Sequence, residues 1–506
     1  MPELATIAFF LVTGWAALWP VRGRLGPITF HLAALPVGVL SSALAAVFSS
    51  LSGRPLDAVS AVAGALALTA GMWGIAAFTA SRDKMDPGVS AASFVVTGMS
   101  LGVLATVFGV ARYTVANNDS IVAYWPLAVH LNRVGVFTET VAALRSALVP
   151  AMGAVHAAFG SDWTYVVYPV LATVLVAWVA WSLVSGPLSG QTRKTALLIA
   201  GGAVAFLVFE PSFLFHSFFV HSHMVSALYL FLSLACIRMA VKGGAKRRDD
   251  GTLDGEPDGA HLMIAGLFVS GLALARPDGL AYQFVPVAVA IAALSVGKVR
   301  ARHVAAFFGP LFLVVLGVYA ATYIELGLWG STKLSGRTAL MILGVLVFSA
   351  AGPWLAHRVE RATRIRLTGE RFLSVLTAIA AVLMLVVFAL RWESASGALG
   401  TTWTNLFGGA GGYNYLWYAV MGVMVASLFT RDALRPGSWT RPAFLVFALF
   451  FVIAGLVHGT SHEGRIGVGD SLNRIVFHAL PLAVWYAAAI VARIVGSDDG
   501  EPATAE

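Results

Sequence analysis

Long apolar segments recur along almost the whole chain, and no other feature constrains the fold as strongly. A helix needs about 20 mainly apolar residues to cross the hydrocarbon core of a bilayer. The sequence therefore predicts an all-α fold, a polytopic transmembrane helical bundle of about 15 spans. These spans lie near residues 4–20, 28–52, 57–80, 93–111, 164–186, 195–210, 218–241, 261–275, 280–297, 303–323, 338–357, 371–390, 413–430, 441–458 and 473–495. Two of them, 195–210 and 261–275, are short enough to be tilted or partly re-entrant.

Composition agrees with lipid as the main solvent. Charged residues make up 11% of the 506 residues and hydrophobic residues 58%, with a mean hydropathy of +0.81. So few charges cannot cover a soluble body of this size. The single cysteine, Cys236, excludes a disulfide framework and a cysteine-based metal site. The first residues, MPELATIAFF, lack the basic start and cleavage site of a signal peptide, so the first run is interpreted as a span.

Lysine and arginine predict the orientation of the bundle. An odd number of spans puts the termini on opposite sides, and cytoplasmic loops carry the excess of basic residues. With the N-terminus outside, the inner loops and adjoining helix ends hold 23 of the 33 Lys and Arg residues, and the outer side holds 10. The predicted location is the plasma membrane of a bacterium, multi-pass, with the C-terminus in the cytoplasm. This topology explains the net charge of +8 without nucleic acid as a partner.

Groups capable of chemistry concentrate on the predicted outer side. Eight of the twelve histidines fall there. The inner loops are short, and none has a Gly-rich phosphate loop followed by Lys-Ser/Thr, so ATP-driven work by this chain alone is not expected.

The long outer loop, 112–163, begins with an acidic residue near the membrane interface. Asp119 is followed by a helix-spaced stripe that ends in a glycine, formed by Tyr124, Ala128, Leu131 and Gly135. An acid at this depth is costly unless something pairs with it or uses it. A carboxylate paired with a nearby arginine is the structural alternative. Further along the loop, the apolar stripe Val141, Leu144, Leu148 and Met152 predicts an amphipathic helix lying on the membrane surface.

Two other outer segments carry polar groups. His221 and His223 open a span; His-x-His can chelate a metal on a loop, but on a helix the two rings point about 200° apart. With no third ligand at fixed spacing, no metal site is predicted, and interfacial histidines are the alternative. Arg276 and Asp278 lie in a Pro- and Gly-containing turn between two apolar runs.

The last outer loop, 458–473, and the helix after it add more charge. Arg474 and His478 are four residues apart, on one face at the outer end of the final span. An arginine fork matches phosphate oxygens, and a histidine can add a second donor. Glu463 and Arg465 precede them in the loop. Paired or snorkelling interface residues are the structural alternative.

The segment NNDSIVAYWPLAVHLNRVG resembles the first large outer loop of membrane glycosyltransferases of the GT-C class. The ARPDG turn and the segment around Arg474 and His478 resemble other GT-C segments. The resemblance implies an enzyme that inverts the sugar and has Asp119 as its catalytic base. In many GT-C members this loop follows the first span, whereas in this chain it follows the fourth. Residues 1–92 are therefore expected to be an added three-span module. Residues 93–330 are then the catalytic core, and 331–506 are C-terminal membrane helices with a cytoplasmic tail.

The expected reaction is sugar transfer on the outer face, from a polyprenyl-phosphate donor to a cell-envelope glycan or lipid acceptor. Nucleotide sugars are cytoplasmic, so an outward-facing enzyme needs a donor that has crossed the membrane. Membrane lipids are the other expected partners. No cofactor is predicted with certainty, and nothing supports a divalent cation. The residues expected to bind donor phosphate are Arg474, His478, Arg276 and Arg465, and those expected to bind substrate are Asn118, Tyr124, His221, His223, Asp278 and Glu463.

Three other functions remain open from sequence. A secondary transporter or flippase would need ionisable or broken-helix sites near the bilayer midplane, and no charge deep in a span or internal repeat is evident. A ligase or polymerase of lipid-linked glycans would depend on outer Arg and His without the Asp119 helix. A non-catalytic assembly subunit fits the single acid of Asn117-Asn118-Asp119.

Overall fold

The computed structural model describes most of the chain, in helical segments separated by gaps. The described ranges are 2–79, 124–135, 147–161, 167–189, 191–218, 221–244, 246–247, 253–254, 257–276, 282–295, 299–326, 336–363, 369–413, 415–429 and 471–496.

Contacts divide the chain into two compact units. Unit 1 consists of Met1–Val174 and Ser217–Gly369, and unit 2 consists of Leu175–His216 and Glu370–Glu506. These units do not follow the division into 1–92, 93–330 and 331–506 expected from sequence, which stays a prediction.

Unit 1 is built from helices and one short strand pair. The strands β1 (Lys246–Arg247) and β2 (Leu253–Asp254) pair antiparallel in the predicted cytoplasmic linker. The helices are α1 (Pro2–Leu18), followed by a 3₁₀ turn (Trp19–Val21), α2 (Arg22–Leu25), α3 (Pro27–Val39), α4 (Ser41–Ser52), α5 (Ala58–Thr79), α6 (Trp125–Val134), α7 (Leu148–Ala158), α8 (Val167–Val184), of which residues from Leu175 on belong to unit 2, α11 (Ser222–Gly244), α12 (Gly259–Ala275), α13 (Phe284–Leu294), α14 (Ala301–Leu326) and α15 (Gly336–Thr363).

All regular secondary structure in the described part of unit 2 is helical. Its helices are α9 (Arg193–Val208), α10 (Pro211–Phe218), whose last two residues belong to unit 1, α16 (Glu370–Leu390), α17 (Trp392–Leu406), α18 (Leu416–Phe429) and α19 (Ser471–Gly496).

Eight helices in the described ranges are long and apolar enough to cross a membrane. Helices α9 and α10 bend by 65° at their junction and would make a ninth span if counted as one. The all-α membrane fold is confirmed, whereas the figure of about 15 spans stays a prediction. The eight are Pro2–Leu25, Pro27–Ser52, Ala58–Thr79, Val167–Val184, Ser222–Val241, Ala301–Thr322, Arg371–Leu390 and Val476–Val495.

Small residues allow the first helices to pack at backbone contact. A Cβ on Gly14 would lie 1.8 Å from the carbonyl oxygen of Ala34, and one on Gly38 would lie 1.7 Å from that of Phe10. Glycines therefore set the crossing of α1 and α3, as expected where lipid removes the hydrophobic force between helices.

Two hydrogen bonds within unit 1 join segments that the sequence places on the same side of the membrane. In unit 1, the amide of Leu56 donates to the carbonyl of Leu131 at 3.0 Å, and both lie in predicted outer segments. The amide of Asp258 donates to the carbonyl of Ala240 at 2.9 Å, and both lie in predicted inner segments. The alternation of sides agrees with these contacts, while which side faces the cytoplasm stays a prediction.

Two helices differ from expectation. Helix α7 is not amphipathic, because Leu148–His156 are all buried, Leu148 and Met152 among them. Its sequence is apolar or small except for His156, and a helix that is apolar all round is buried by protein. Helix α17 was not predicted, because its 15 residues are rich in Gly, Ser and Thr and do not form an apolar run long enough for a span.

Candidate functional site

Three segments that the sequence marked separately meet in unit 1. Tyr124 caps the start of α6, His221 and His223 begin α11, and Arg276 ends α12. Tyr124 is 4% exposed, His221 3% and His223 1%, and Arg276 is half-buried. We call these four residues and Ser222, which is fully buried, the unit 1 cluster.

Helix α6 holds Tyr124 in place. The predicted stripe is confirmed, because Tyr124, Ala128 and Leu131 are buried. The predicted glycine stop is also confirmed, since Gly135 has a φ of 82° and its amide donates to the carbonyl of Leu131 at 3.0 Å. The Asn132 side chain donates to the carbonyl of Leu56 at 2.9 Å and fixes this end of the helix.

Tyr124 connects α6 to the start of α11. Its hydroxyl lies 3.0 Å from the Oγ of Ser222, and its ring meets that of His221 edge to face at 4.9 Å. The amide of Ser222 donates to Nδ1 of His221 at 2.9 Å. An accepting nitrogen carries no proton, so the neutral His221 ring holds its hydrogen on Nε2. His221 can therefore donate a hydrogen bond through Nε2.

The two histidine rings are stacked. Their centroids are 4.2 Å apart and their planes differ by 11°. The expectation that a helix would point the rings about 200° apart is wrong here. The reason is that His221 precedes α11, which begins at Ser222, so only His223 has helical geometry.

Arg276 places a permanent positive charge beside this pair. Its Nη1 lies 2.9 Å from Nδ1 and 2.6 Å from Nε2 of His223. A guanidinium only donates hydrogen bonds, so one of these two ring nitrogens accepts and carries no proton. His223 is therefore neutral. The arrangement combines a cation, two neutral imidazoles and the hydroxyls of Tyr124 and Ser222. Such a donor-rich buried site suits phosphate oxygens or sugar hydroxyls.

Unit 2 contains the other predicted cation. Arg474 is half-buried and His478 is 1% exposed, near the start of α19. Between them, Phe477 has its ring 4.2 Å from that of His216, which is 1% exposed.

The sequence analysis gave no functional role to two polar residues that the structure buries, Ser222 and Glu210. Ser222 looked like an ordinary helix start, although its place between two histidines could have drawn attention. Glu210 is only 4% exposed, and it lies at the break between α9 and α10, where it interacts electrostatically with Tyr413. An acid directly after the apolar run 196–209 was the available signal for Glu210.

Five predicted site residues lie outside the described ranges: Asp119, Asn118, Asp278, Glu463 and Arg465. Among the described residues, no group of three or more His, Cys, Asp or Glu side chains could hold a metal ion.

Comparisons with known proteins give one structural match. No family model matches the chain, and no curated protein matches its sequence. A crystal structure of the oligosaccharyltransferase of Archaeoglobus fulgidus, tethered to an acceptor peptide, resembles this chain at 15% identity with a TM-score of 0.45. The match covers 79% of this chain and 50% of that one, so the chain spans about half the length of the solved protein.

Proposed function

We propose that this chain is a membrane glycosyltransferase that moves a sugar from a polyprenyl-phosphate donor to a glycan or lipid acceptor. The observation that carries the proposal is the unit 1 cluster. It joins Tyr124, five residues after Asp119 in the sequence, to the stacked histidines and to Arg276. A cation and several donors thus gather around Tyr124, which follows the proposed catalytic base closely in the sequence.

In the proposed step, the acceptor hydroxyl oxygen attacks the anomeric carbon of the donor sugar. Asp119 accepts the hydroxyl proton as the new C–O bond forms. The bond from the anomeric carbon to the phosphate oxygen breaks, and polyprenyl phosphate leaves with the electron pair. Attack opposite the leaving group inverts the anomeric centre.

The remaining residues bind and orient substrate. Arg276 stabilises charge on the phosphate, and Nε2–H of His221 and the hydroxyl of Tyr124 bond its oxygens or sugar hydroxyls. His223 orients Arg276.

The other predicted residues lie in unit 2 or outside the described ranges, and their proposed roles follow from their chemistry and the sequence resemblance. We assign donor phosphate to Arg474, His478 and Arg465. Sugar or acceptor contacts are assigned to Asn118, Asp278 and Glu463. The site faces the outside of a bacterial plasma membrane, the N-terminus is outside and the C-terminus is cytoplasmic, as the basic loops predict.

Replacing Asp119 by asparagine tests the catalytic base. We expect Asp119→Asn to lower sugar transfer by about 10³-fold or more, in line with the loss of a general base, while donor binding and folding are retained. Asp57→Asn is the matched control. Asp57 caps α5 by accepting from the amide of Ser60 at 2.9 Å, and asparagine caps equally well. Unchanged turnover in Asp119→Asn would remove this assignment.

Replacing Arg474 by alanine tests the phosphate role. We expect donor affinity to fall by roughly tenfold to a hundredfold, the loss of a charge-assisted hydrogen bond. Isothermal titration calorimetry with a polyprenyl phosphate in detergent measures the donor affinity. An unchanged affinity would move the phosphate role to other residues.

A flippase is the second candidate, and one observation favours it. Helices α9 and α10 form a broken helix with the buried Glu210 at its break, the kind of site that transporters use. Translocation of a labelled polyprenyl-phosphate sugar across vesicles, without transfer to any acceptor, would favour this candidate.

A further inference from the structure

Unit 2 contains an apolar cavity of about 330 Å³ between α9, α18 and α19. This volume is within the range of roughly 300–1,000 Å³ typical of ligand sites. Every residue that lines it is apolar or glycine, including Gly202, Phe206, Leu416, Ala419, Val484 and Ala488.

Contacts at both ends of α9 and α19 show that the two helices are antiparallel. The Gln191 side chain, before α9, donates to the carbonyl of Ala492 near the end of α19 at 3.0 Å. At the opposite end, on α10 just after the bend that follows α9, the ring of His216 lies 4.2 Å from that of Phe477 near the start of α19. The amide of Ser212 also donates to the carbonyl of Gly412 at 3.1 Å, so the start of α18 lies at the same end as His216.

At this end of the cavity, a polar residue lies just beyond the end of α9, just before the start of α18 and near the start of α19. Glu210 comes four residues after Phe206, Tyr413 three before Leu416, and His478 six before Val484, which is about 9 Å of helix. All three polar side chains are at most 4% exposed. The cavity thus has an apolar body and three buried polar groups at one end. This distribution of polarity fits an amphiphile.

We infer that this cavity holds the hydrocarbon tail of a polyprenyl phosphate, with the phosphate at Arg474 and His478. The inference rests on the proposed function for the identity of the lipid. Arg474 supplies a permanent charge for the phosphate, and His478 lies one turn nearer the cavity. The carboxylate of Glu210 and the phenol of Tyr413 match the hydroxyls of a sugar linked to that phosphate.

Two neighbouring glycines provide a test with a matched control. An added Cβ meets nothing within 4 Å at Gly201 or at Gly202, so both positions of α9 accept a side chain without strain. Only Gly202 lines the cavity. Gly202→Leu fills the cavity, and Gly201→Leu makes the same chemical change beside it.

The probe is farnesyl phosphate with a diazirine on its terminal isoprene unit, added to the full-length protein in nanodiscs. We expect photolabelled peptides from α9, α18 and α19. Gly202→Leu should lower the labelled fraction by about tenfold, and Gly201→Leu should label like the unmodified protein. Arg474→Ala should reduce labelling by the phosphate probe to that of farnesol with the same diazirine.

Two results would overturn the inference. One is equal labelling of Gly201→Leu and Gly202→Leu. The other is equal labelling of the unmodified protein by farnesol and farnesyl phosphate, which would make this a site for bulk lipid. Labelling needs no turnover, so the expected pattern without sugar transfer would reject the proposed function and keep the tail site. Transfer with the label elsewhere would do the reverse.

Discussion

The phenol oxygen of Tyr124 lies 3.0 Å from the Oγ of Ser222, across 98 positions of sequence. Both side chains are buried, and the amide and hydroxyl of Ser222 also contact Nδ1 of His221. Ser222 therefore links Tyr124, at the start of α6, to the histidine pair. This makes it a positioning residue in the proposed reaction.

Alanine at position 222 should slow sugar transfer more than it affects folding. One hydrogen bond contributes about 0.5–1.5 kcal/mol, so we expect Ser222→Ala to lower the transfer rate by roughly threefold to tenfold. Ser226→Ala is the control, because Ser226 is one turn further on α11 and equally buried. Steady-state transfer kinetics measure both variants. Equal losses would show that Ser222 only packs.

Replacing Gly135 by alanine should disrupt the packing of the end of α6 against the backbone of Arg54. Its φ is 82°, and an added Cβ would lie 1.8 Å from the carbonyl oxygen of Arg54. Gly160 has the same φ of 82° but nothing within 4 Å, so Gly160→Ala measures the backbone strain alone, about 1–2 kcal/mol. We expect Gly135→Ala to lower the thermal midpoint in detergent clearly further than Gly160→Ala. Equal midpoints would mean that Arg54 yields freely.

Lysine at Arg276 keeps the charge but loses the planar fork. We expect Arg276→Lys to weaken donor binding by about tenfold and Arg276→Ala by about a hundredfold, because in the proposed site the fork bonds the phosphate while its Nη1 contacts His223. Arg133→Ala is the control, because Arg133 is exposed on α6. Binding of a polyprenyl phosphate measures the effect. Wild-type affinity in Arg276→Lys would leave the guanidinium without a specific role.

The sequence predicted correctly those features of α6 that depend only on residues close together in the chain. The stripe that contains Tyr124 and Leu131 gave the buried face of α6, and Gly135 gave its end, because helix periodicity and glycine at positive φ are local rules. The stacking of His221 on His223 could not be predicted. It depends on α11 starting one residue after His221, and sequence locates helix ends poorly.

Burial by tertiary packing was also beyond the sequence. The segment around Leu148 has the apolar spacing of a surface helix, and only the neighbouring helices show that protein covers all its sides. The same holds for Glu210, since an acid after an apolar run is compatible with water or with burial. Composition predicted the membrane fold, whereas the surroundings of each polar residue are determined by tertiary packing.

His156 on α7 gives the unfolding free energy a predictable pH dependence. It is fully buried, and its Nδ1–H donates to the carbonyl of Met152 at 3.1 Å. Burial lowers the pKa of His156 from 6.5 to about 4, against smaller opposing effects of Met152 and Glu3. Below pH 6.5 the unfolded chain binds a proton that the folded protein does not bind. Stability should therefore be complete above pH 6.5 and fall as the pH drops towards 4, by about 3 kcal/mol.

Replacing the ring removes this proton from the unfolding equilibrium. We expect His156→Leu to flatten the fall in the unfolding midpoint between pH 6.5 and 4, measured by denaturant titration in detergent. His130→Leu is the matched control, because His130 also lies on a unit 1 helix but is only half-buried. If His156→Leu and the unmodified protein lose stability in parallel over this range, then the buried imidazole does not control acid sensitivity. The loss would then belong to carboxylates whose pKa is lowered by native contacts, such as Asp57, which accepts from the amide of Ser60.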